Sequence, residues 1–259
     1  MPFYPRKKNA PKKGKKPYKR RTRGGVKSLV TKLVKIELHK AIENKLQARE
    51  FALTTFNNAA TSAADCIRIM PDIYNGTGDG DKTGTQITGR TFKIKGHMNV
   101  IPSSLDAPRS RIMVRMMIVI PKKFPTLDVA ANNTLFWINE VLKQGNSGAP
   151  LDGTIKSMYL PTNRDVVTVL ADKKFYLNSN YFFSASAPLT NFSTNFVTKF
   201  FSINLPVKIS YKYYDSAPNS STYDPVLLFS YCFLDGAAPA ALSTSMNMSF
   251  VSVLEYEDA

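Results

Sequence analysis

The run RIMVRMMIVI, residues 111–120, says more about the fold than any other stretch of the 259-residue chain. Eight of its ten residues are apolar, and only Arg111 and Arg115 interrupt it. A short, almost continuous apolar run is typical of a strand that is covered on both faces. The sequence therefore predicts an interior strand here.

Two further runs alternate between apolar and polar residues. In FKIKGHM, residues 92–98, the side chains of Phe92, Ile94 and Met98 fall on one side, and VKISYKY, residues 207–213, has the same period of two. Such alternation indicates a strand with one face in the core and the other face exposed or at an interface.

Strand-like runs occur eight times between residue 64 and the C-terminus. They are residues 64–70, 86–100, 111–120, 165–170, 174–177, 203–214, 226–234 and 246–256. The connections contain many turn formers, as in NGTGDGD, residues 75–81. Short strands with long connections and no alternating helices are typical of a two-sheet sandwich. The sequence predicts an all-β, eight-stranded antiparallel jelly-roll sandwich over residues 53–259, and the pattern leaves its strand order open.

Two segments have helical periodicity instead. Apolar residues recur at steps of three and four in residues 26–52, which predicts an amphipathic helix or helical linker. This helix either packs against the sandwich or extends the basic segment before it, and periodicity does not choose between the two. Similar spacing predicts a second helix over residues 133–143, which ends before Gly145.

The N-terminal segment, residues 1–25, is strongly basic. Residues 1–50 hold seventeen Lys or Arg and three acids, whereas residues 51–259 hold eighteen and sixteen, so the net charges are +14 and +2. The basic residues before residue 24 are Arg6, Lys7, Lys8, Lys12, Lys13, Lys15, Lys16, Lys19, Arg20, Arg21 and Arg23, and no acid lies among them. Such a segment has little to bury and repels itself, which predicts a disordered arm that binds a polyanion.

Binding by this arm is expected to be electrostatic and almost independent of base sequence. The candidate nucleic-acid-binding residues are the eleven arm cations and Lys27. Tyr4 and Tyr18 add aromatic rings on which unpaired bases can stack. The candidate nuclear-localisation signal consists of Lys12, Lys13, Lys15, Lys16, Lys19, Arg20, Arg21 and Arg23. A tail that only aids solubility is the alternative.

The sequence offers poor material for catalysis or metal binding. His39 and His97 have no partner nucleophile in the sequence, so no catalytic residue is assigned and the chain is not expected to be an enzyme. Asp79 and Asp81 are weak metal candidates, because their loop lacks the later Glu of an EF-hand. The same loop lacks the Gly-Lys-Ser/Thr ending of a phosphate-binding loop. No cofactor and no metal are expected.

The cysteines and the hydropathy pattern bear on the compartment. Cys66 and Cys232 are far apart in apolar surroundings, which predicts two buried free thiols in a reducing compartment. The sequence has no run of eighteen apolar residues, so it predicts no membrane span and no membrane partner. The basic N-terminus lacks the apolar stretch of a secretory signal.

Four features occur together in a fixed order. The basic arm precedes a β domain, and a glycine-rich turn with Lys82 leads into a strand over residues 73–87. Arg alternates with aliphatic residues at 111–120, and VTVLADKKFYL, residues 167–177, has the pattern of a hairpin. This order resembles the coat proteins of small circular single-stranded DNA viruses that encode a replication initiator, the circovirus-like group. The Lys-rich arm differs from the Arg-rich arms of circoviruses proper, so the resemblance is to their relatives.

The resemblance implies a viral capsid protein with a jelly-roll body. Its partners would be further copies of itself, a single-stranded genome, with DNA favoured over RNA, and a host nuclear import receptor. It would be found in the virion, and in the host nucleus during assembly. About sixty copies, each with a net charge of +14 over residues 1–50, would bring roughly 800 positive charges, on the order of half the phosphates of a genome of about two thousand nucleotides.

Other functions remain open from the sequence. One is the coat protein of a small single-stranded RNA virus or satellite virus. Another is a non-viral nucleic-acid-binding β-sandwich protein. A sugar-binding or enzymatic sandwich with an incidental basic tail is the third, although no cluster of His or carboxylate residues supports an enzyme.

Overall fold

The computed structural model describes residues 30–32, 44–61, 65–100, 111–122, 137–178, 198–214, 217–220, 224–234 and 246–258. The chain divides into two compact units, Met1–Ile42 and Glu43–Ala259. In the first unit only residues 30–32 are described, and they are helical. Within the described residues no helix is long and apolar enough to cross a membrane.

The second unit is built from strands. In chain order they are β1 (Asn44–Phe56), β2 (Cys66–Arg68), β3 (Gln86–Val100), β4 (Arg111–Pro121), β5 (Leu142–Gln144), β6 (Ser147–Ala149), β7 (Val167–Asn178), β8 (Thr198–Pro206), β9 (Ser210–Lys212), β10 (Val226–Phe233) and β11 (Met246–Asp258). A 3₁₀ turn (Ile138–Glu140) precedes β5, and a short helix, α1 (Ile155–Tyr159), follows β6.

Nine of these strands form two antiparallel sheets, eight of them in the main order of neighbouring strands and β9 beside β3. The first sheet has the order β1-β11-β3-β8, with β9 also pairing to β3, and the second has the order β2-β10-β4-β7. Counted along the chain as strands one to eight, the sheets read 1-8-3-6 and 2-7-4-5, so the chain passes repeatedly from one sheet to the other. This order defines a jelly roll. The predicted all-β jelly-roll sandwich is therefore confirmed, and the strand order that the sequence left open is now known.

The core lies between the two sheets. Phe92, Ile94 and Met98 of β3 are fully buried on the inner side, as the period of two predicts. β4 is buried along its whole length after Arg111. Its inner side chains join the main core, and its outer ones, such as Met117 and Val119, are covered by residues 137–166 with Trp137 among them. The interior strand predicted at 111–120 is confirmed for this reason.

The predicted helix over residues 26–52 is wrong from Asn44 onward. Residues 30–32 are helical, residues 33–43 lie outside the described residues, and Asn44–Phe56 form the long strand β1. The pairing of β1 along β11 overrides the helical spacing, since strand formation depends on such neighbours more than on local preference. The jelly roll consequently begins at residue 44 and not at residue 53.

The predicted helix over residues 133–143 is wrong where the structure describes it. Ile138–Glu140 make a single 3₁₀ turn, and β5 then pairs with β6 around Gly145, whose φ is +60°. Only a residue without a Cβ adopts that angle easily, so the glycine makes a tight hairpin here. Of the apolar side chains that suggested a helix, Ile138, Val141 and Leu142 are described, and they cover the outer face of the second sheet instead.

Two predicted strand boundaries also change. Residues 165–170 and 174–177 are not separate strands of a hairpin but parts of the continuous strand β7, whose register against β4 shifts at Leu170. The polar residues that suggested a turn lie on an edge strand, where exposed charges are common. Residues 203–214 instead divide into β8 and β9, and β8 begins earlier, at Thr198.

Candidate nucleic-acid interface

The predicted arm lies outside the described residues. This holds for all eleven arm cations, for Lys27, and for the candidate nuclear-localisation signal among them. Tyr4, Tyr18 and His39 also lie outside. The structure therefore describes the jelly roll that follows the arm, and the candidate nucleic-acid contacts described below lie on its surface.

The first strand of the jelly roll is held firmly at its start. Lys45 donates from Nζ to the carbonyl oxygen of Asp81 at 2.7 Å and to Asp258 Oδ2 at 3.3 Å. Asp258 Oδ2 also accepts from the backbone N–H and the hydroxyl of Thr83, each at 2.7 Å. Burial disfavours the charged carboxylate, but the hydrogen bonds from Thr83 and Lys45 outweigh it and lower the pKa of Asp258. The beginning of β1, the end of β11 and the glycine-rich loop thus form one hydrogen-bonded unit.

The glycine-rich loop does not assemble a metal site from the predicted carboxylates. Asp81 Oδ2 accepts the backbone N–H of Gly78 at 3.1 Å, which commits this side chain to closing the turn. A Cβ on Gly76 would lie only 2.2 Å from the same oxygen. Asp79 is exposed, and among the described residues no three His, Cys, Asp or Glu side chains come together as a metal site requires.

Lys82, the basic residue of the family-like turn, has a structural role. Its side chain is fully buried, and Nζ donates to Asn75 Oδ1 at 2.5 Å and to the carbonyl oxygen of Ala217 at 3.3 Å. Nζ also lies 4.7 Å from the centre of the Tyr213 ring, within the range of a cation–π contact. Burial lowers the pKa of Lys82. This lysine ties two loops together and does not point toward solvent.

Arg115 clamps the segment that covers the second sheet. Its guanidinium donates to both carboxylate oxygens of Asp172, at 3.0 and 2.6 Å. One further nitrogen donates to the carbonyl oxygens of Ser157 at 2.6 Å and Leu160 at 2.8 Å, at the end of α1. The planar fork of Arg suits such divided contacts. The Arg of the family-like strand therefore fixes the position of α1 on β4 and β7.

The outer face of the first sheet carries mixed charges in pairs. Arg90 pairs with Glu257, and Lys93 pairs with Glu255. Alternating signs reduce the field that this face presents to a polyanion. The described part of this face therefore does not offer the uniformly basic surface that would extend the arm's binding.

Six phenylalanines lie between residues 180 and 201, and two of them are among the described residues. Phe201 is buried in the core, whereas its neighbour Phe200 is 75% exposed and lies 5.9 Å from the ring of His97. Phe182, Phe183, Phe192 and Phe196 lie outside the described residues. Phe200 is thus a surface aromatic on β8 and the only one of the six that the structure places outside the core.

Sequence reasoning missed two exposed tyrosines. Tyr159 is 60% exposed and Tyr176 is 54% exposed, and they are neighbours because the end of α1 lies beside β7. Seventeen residues separate them in the chain, and no periodic pattern links a five-residue helix to an edge strand. Only the tertiary arrangement could reveal this pair.

Both cysteines are buried free thiols, as predicted. Burial, with a smaller contribution from the Asp65 carboxylate, raises the pKa of Cys66 to about 12. A thiol with so high a pKa is a poor nucleophile at neutral pH.

Comparisons with known proteins add little to this picture. No model of a protein family and no curated protein matches the chain. A solved particle structure of Israeli acute paralysis virus covers 82% of this chain and 68% of its own, with 13% identity and a TM-score of 0.33. A TM-score this low supports no conclusion, so the jelly-roll assignment rests on the strand order of the chain itself.

Proposed function

We propose that this chain is a viral capsid protein that assembles into a closed shell and packages single-stranded nucleic acid with its basic arm. The observation that carries the proposal is that one chain combines a strongly basic segment with a nearly neutral jelly roll. An arm with eleven cations and no acid before residue 24 precedes a jelly roll, while residues 51–259 have a net charge of only +2.

The jelly roll alone does not select this function, because viral capsid, lectin and cupin domains share it. The basic arm favours a capsid protein over these alternatives. A lectin or an enzyme needs a site for its ligand, whereas a packaging protein needs dense positive charge that ignores base sequence. The glycine-rich loop and Arg115 serve the stability of the fold, and Asp81 closes a turn, so the proposal assigns no catalysis, cofactor or metal.

The resemblance to coat proteins of circovirus-like single-stranded DNA viruses, outside the circoviruses proper, favours DNA as the packaged strand. It also favours assembly in the host nucleus, with the basic run from Lys12 to Arg23 as the import signal. A shell of about sixty copies would suit a chain with one jelly roll. These finer assignments are part of the proposal.

The test compares three forms of the full chain. They are the unaltered protein, a deletion of Met1 to Arg23, and a control in which exposed Lys143, Lys173 and Lys208 of the jelly roll become Gln. After nuclease treatment, the unaltered and control proteins should retain protected nucleic acid that sequencing identifies as DNA. The deletion should retain almost none while its far-ultraviolet circular dichroism stays that of a β protein. Equal protection with and without the arm would refute the packaging role.

A further inference from the structure

The surface around Tyr159 and Tyr176 is built on a rigid support. Met158 of α1 packs on Met113 of β4 and on Cys232 of β10, and all three side chains are fully buried. Arg115 holds the end of α1 through two carbonyl oxygens. Tyr159 is the last residue of this short helix, so its ring is presented from a fixed backbone.

Three side chains form an exposed aromatic and basic group. The electrostatic influence of Tyr176, and then hydrogen bonding to it, raise the pKa of Tyr159. Lys174 Nζ lies 4.9 Å from the centre of the Tyr159 ring. Lys174 and Tyr176 are two residues apart on β7 and therefore share a face. These three residues are called the tyrosine patch.

Two further cations lie beside the tyrosine patch. Lys156 is exposed and stands three residues before Tyr159 on α1, a spacing that puts both on one side of a helix. Arg111 is exposed and lies two residues before Met113, the register partner of Tyr176, so it is a diagonal neighbour of that tyrosine. Both cations therefore border the rings.

The nearest carboxylate on this face of β7 does not cancel these charges. Asp172 lies two residues before Lys174, and both of its oxygens accept hydrogen bonds from the guanidinium of Arg115. The local balance of Lys156, Lys174, Arg111 and the Asp172–Arg115 pair is three positive charges. The surface thus combines flat exposed rings with net positive charge.

We propose that the tyrosine patch is a second binding site for single-stranded nucleic acid, on the jelly roll itself. A base stacks on the exposed tyrosine rings, and the flanking phosphates contact Lys156, Lys174 and Arg111. Aromatic platforms set among cations are the usual arrangement for binding single strands without sequence preference. The inference rests on the proposed function and deepens it by naming where the packaged strand meets the body.

Charge complementarity favours a nucleic acid over a second copy of the chain. A copy would have to present acidic groups to this surface. Residues 51–259 hold eighteen basic and sixteen acidic residues, and acids such as Glu255 and Glu257 are paired with Lys93 and Arg90, so a second copy presents charges of both signs. A phosphate backbone carries its charge without such internal pairing.

The experiment maps contacts on the unaltered full-length protein. The probe is a 30-nucleotide single strand of thymidine with bromodeoxyuridine at several positions, crosslinked by ultraviolet light and located by peptide mass spectrometry. We expect crosslinks at Tyr159 or Tyr176 in addition to the arm, and none above background at Tyr74 and Tyr214, which are 55% and 73% exposed. Equal crosslinking at all four tyrosines, or arm crosslinks alone, would overturn the tyrosine patch as a site.

Variants separate stacking from simple charge. Tyr159→Phe with Tyr176→Phe keeps both rings and should keep the crosslinks in the α1 and β7 peptides, now at their cations. Tyr159→Leu with Tyr176→Leu should lower the crosslink yield in those peptides by about fivefold or more. Tyr74→Leu with Tyr214→Leu is the matched control and should change nothing there.

The outcomes also separate this inference from the proposed function. Absence of crosslinks in the arm would contradict packaging by the arm, whatever happens at the tyrosine patch. Arm crosslinks without patch crosslinks would refute only the second site. If the Leu pair instead abolished assembly, and the unaltered protein gave no patch crosslinks, the surface would be a contact between copies and the inference would be wrong.

Discussion

Arg115 shows how a charged residue can sit inside an apolar strand. Its side chain is only 2% exposed, and it is stabilised by Asp172 and by two carbonyl oxygens near the end of α1. A buried charge is costly unless it is paired and hydrogen-bonded, and this one makes four such contacts. A substitution that removes the guanidinium but keeps Asp172 and the two carbonyl groups should therefore destabilise the fold.

We expect Arg115→Met to lower the free energy of unfolding by about 3 kcal/mol, because the partners of the guanidinium lose their donors. Urea unfolding followed by circular dichroism measures the change. The control is Lys143→Met, which removes the exposed ion pair with Asp165 and should cost less than about 1 kcal/mol. Equal stability of the Arg115 variant and the unaltered protein would show that the clamp is dispensable.

Tyr211 and Tyr213 differ from Arg115, because their buried hydroxyls have no hydrogen-bond partner among the described residues. Burial, and then the Asp224 carboxylate, raise the pKa of both phenols. In the unfolded chain a tyrosine ionises near pH 10, but in the buried site it cannot do so easily. The free energy of unfolding should therefore fall as the pH rises above 10.

Tyr211→Phe removes an unsatisfied polar group, so it should raise the free energy of unfolding by about 1 kcal/mol at pH 7. The advantage should be larger at pH 10.5, where the unaltered tyrosine opposes folding. Denaturant unfolding at the two pH values tests this, with exposed Tyr214→Phe as the control. An advantage that shrinks at the higher pH would contradict the assignment.

At the scale of elements, β1, β11 and β3 form the tightest part of the first sheet. Gly96 of β3 lies opposite Phe250 of β11, whose ring stacks on Phe51 of β1 with centres 4.2 Å apart. A Cβ at position 96 would lie 2.3 Å from the carbonyl oxygen of Ser249. The glycine thus allows three strands to approach each other closely.

Gly96→Ala should lower the free energy of unfolding by about 2 kcal/mol or more, because the new methyl group meets backbone atoms that cannot move aside cheaply. The thermal midpoint should fall accordingly. Ser202→Ala, at an exposed position on β8, is the control and should stay within about 0.5 kcal/mol of the unaltered protein. A Gly96 variant as stable as the control would show that the strands separate more easily than the structure indicates.

The elements also show what sequence patterns could and could not reveal. The alternation at Phe92, Ile94 and Met98 and the apolar run at 111–120 predicted β3 and β4, because the side chains themselves report burial. β1 was missed because its partner β11 lies about two hundred residues away, and no local pattern encodes that pairing. The sequence predicts eight strands, the same number as in the main order of the two sheets, but the two sets differ. The prediction lacks β1 and divides β7 into two strands.

At the scale of the whole molecule, the proposed function rests on the difference in net charge between residues 1–50, at +14, and residues 51–259, at +2. Composition alone predicts the arm, and composition needs no tertiary structure. It does not predict the tyrosine patch, because those side chains come together only where the end of α1 lies beside β7. Lys82 and Arg115, two basic residues on which the resemblance rests, stabilise loops and a covering segment.

Binding of a single strand should depend steeply on salt, because each phosphate contact releases counterions. If all eleven arm cations contact phosphates, the plot of log K against log salt should have a slope of about −8. Changing Lys19, Arg20, Arg21 and Arg23 to Gln should reduce the slope by about 3. Fluorescence anisotropy of a labelled oligonucleotide measures both values, and an unchanged slope would mean that these four residues do not touch the backbone.

Electron microscopy of the purified full-length protein tests the central claim most directly. The account predicts uniform closed particles of one diameter, formed by copies of this single chain and containing nuclease-protected single-stranded nucleic acid. A folded protein that stays monomeric or forms only irregular aggregates across a range of salt and pH would contradict it.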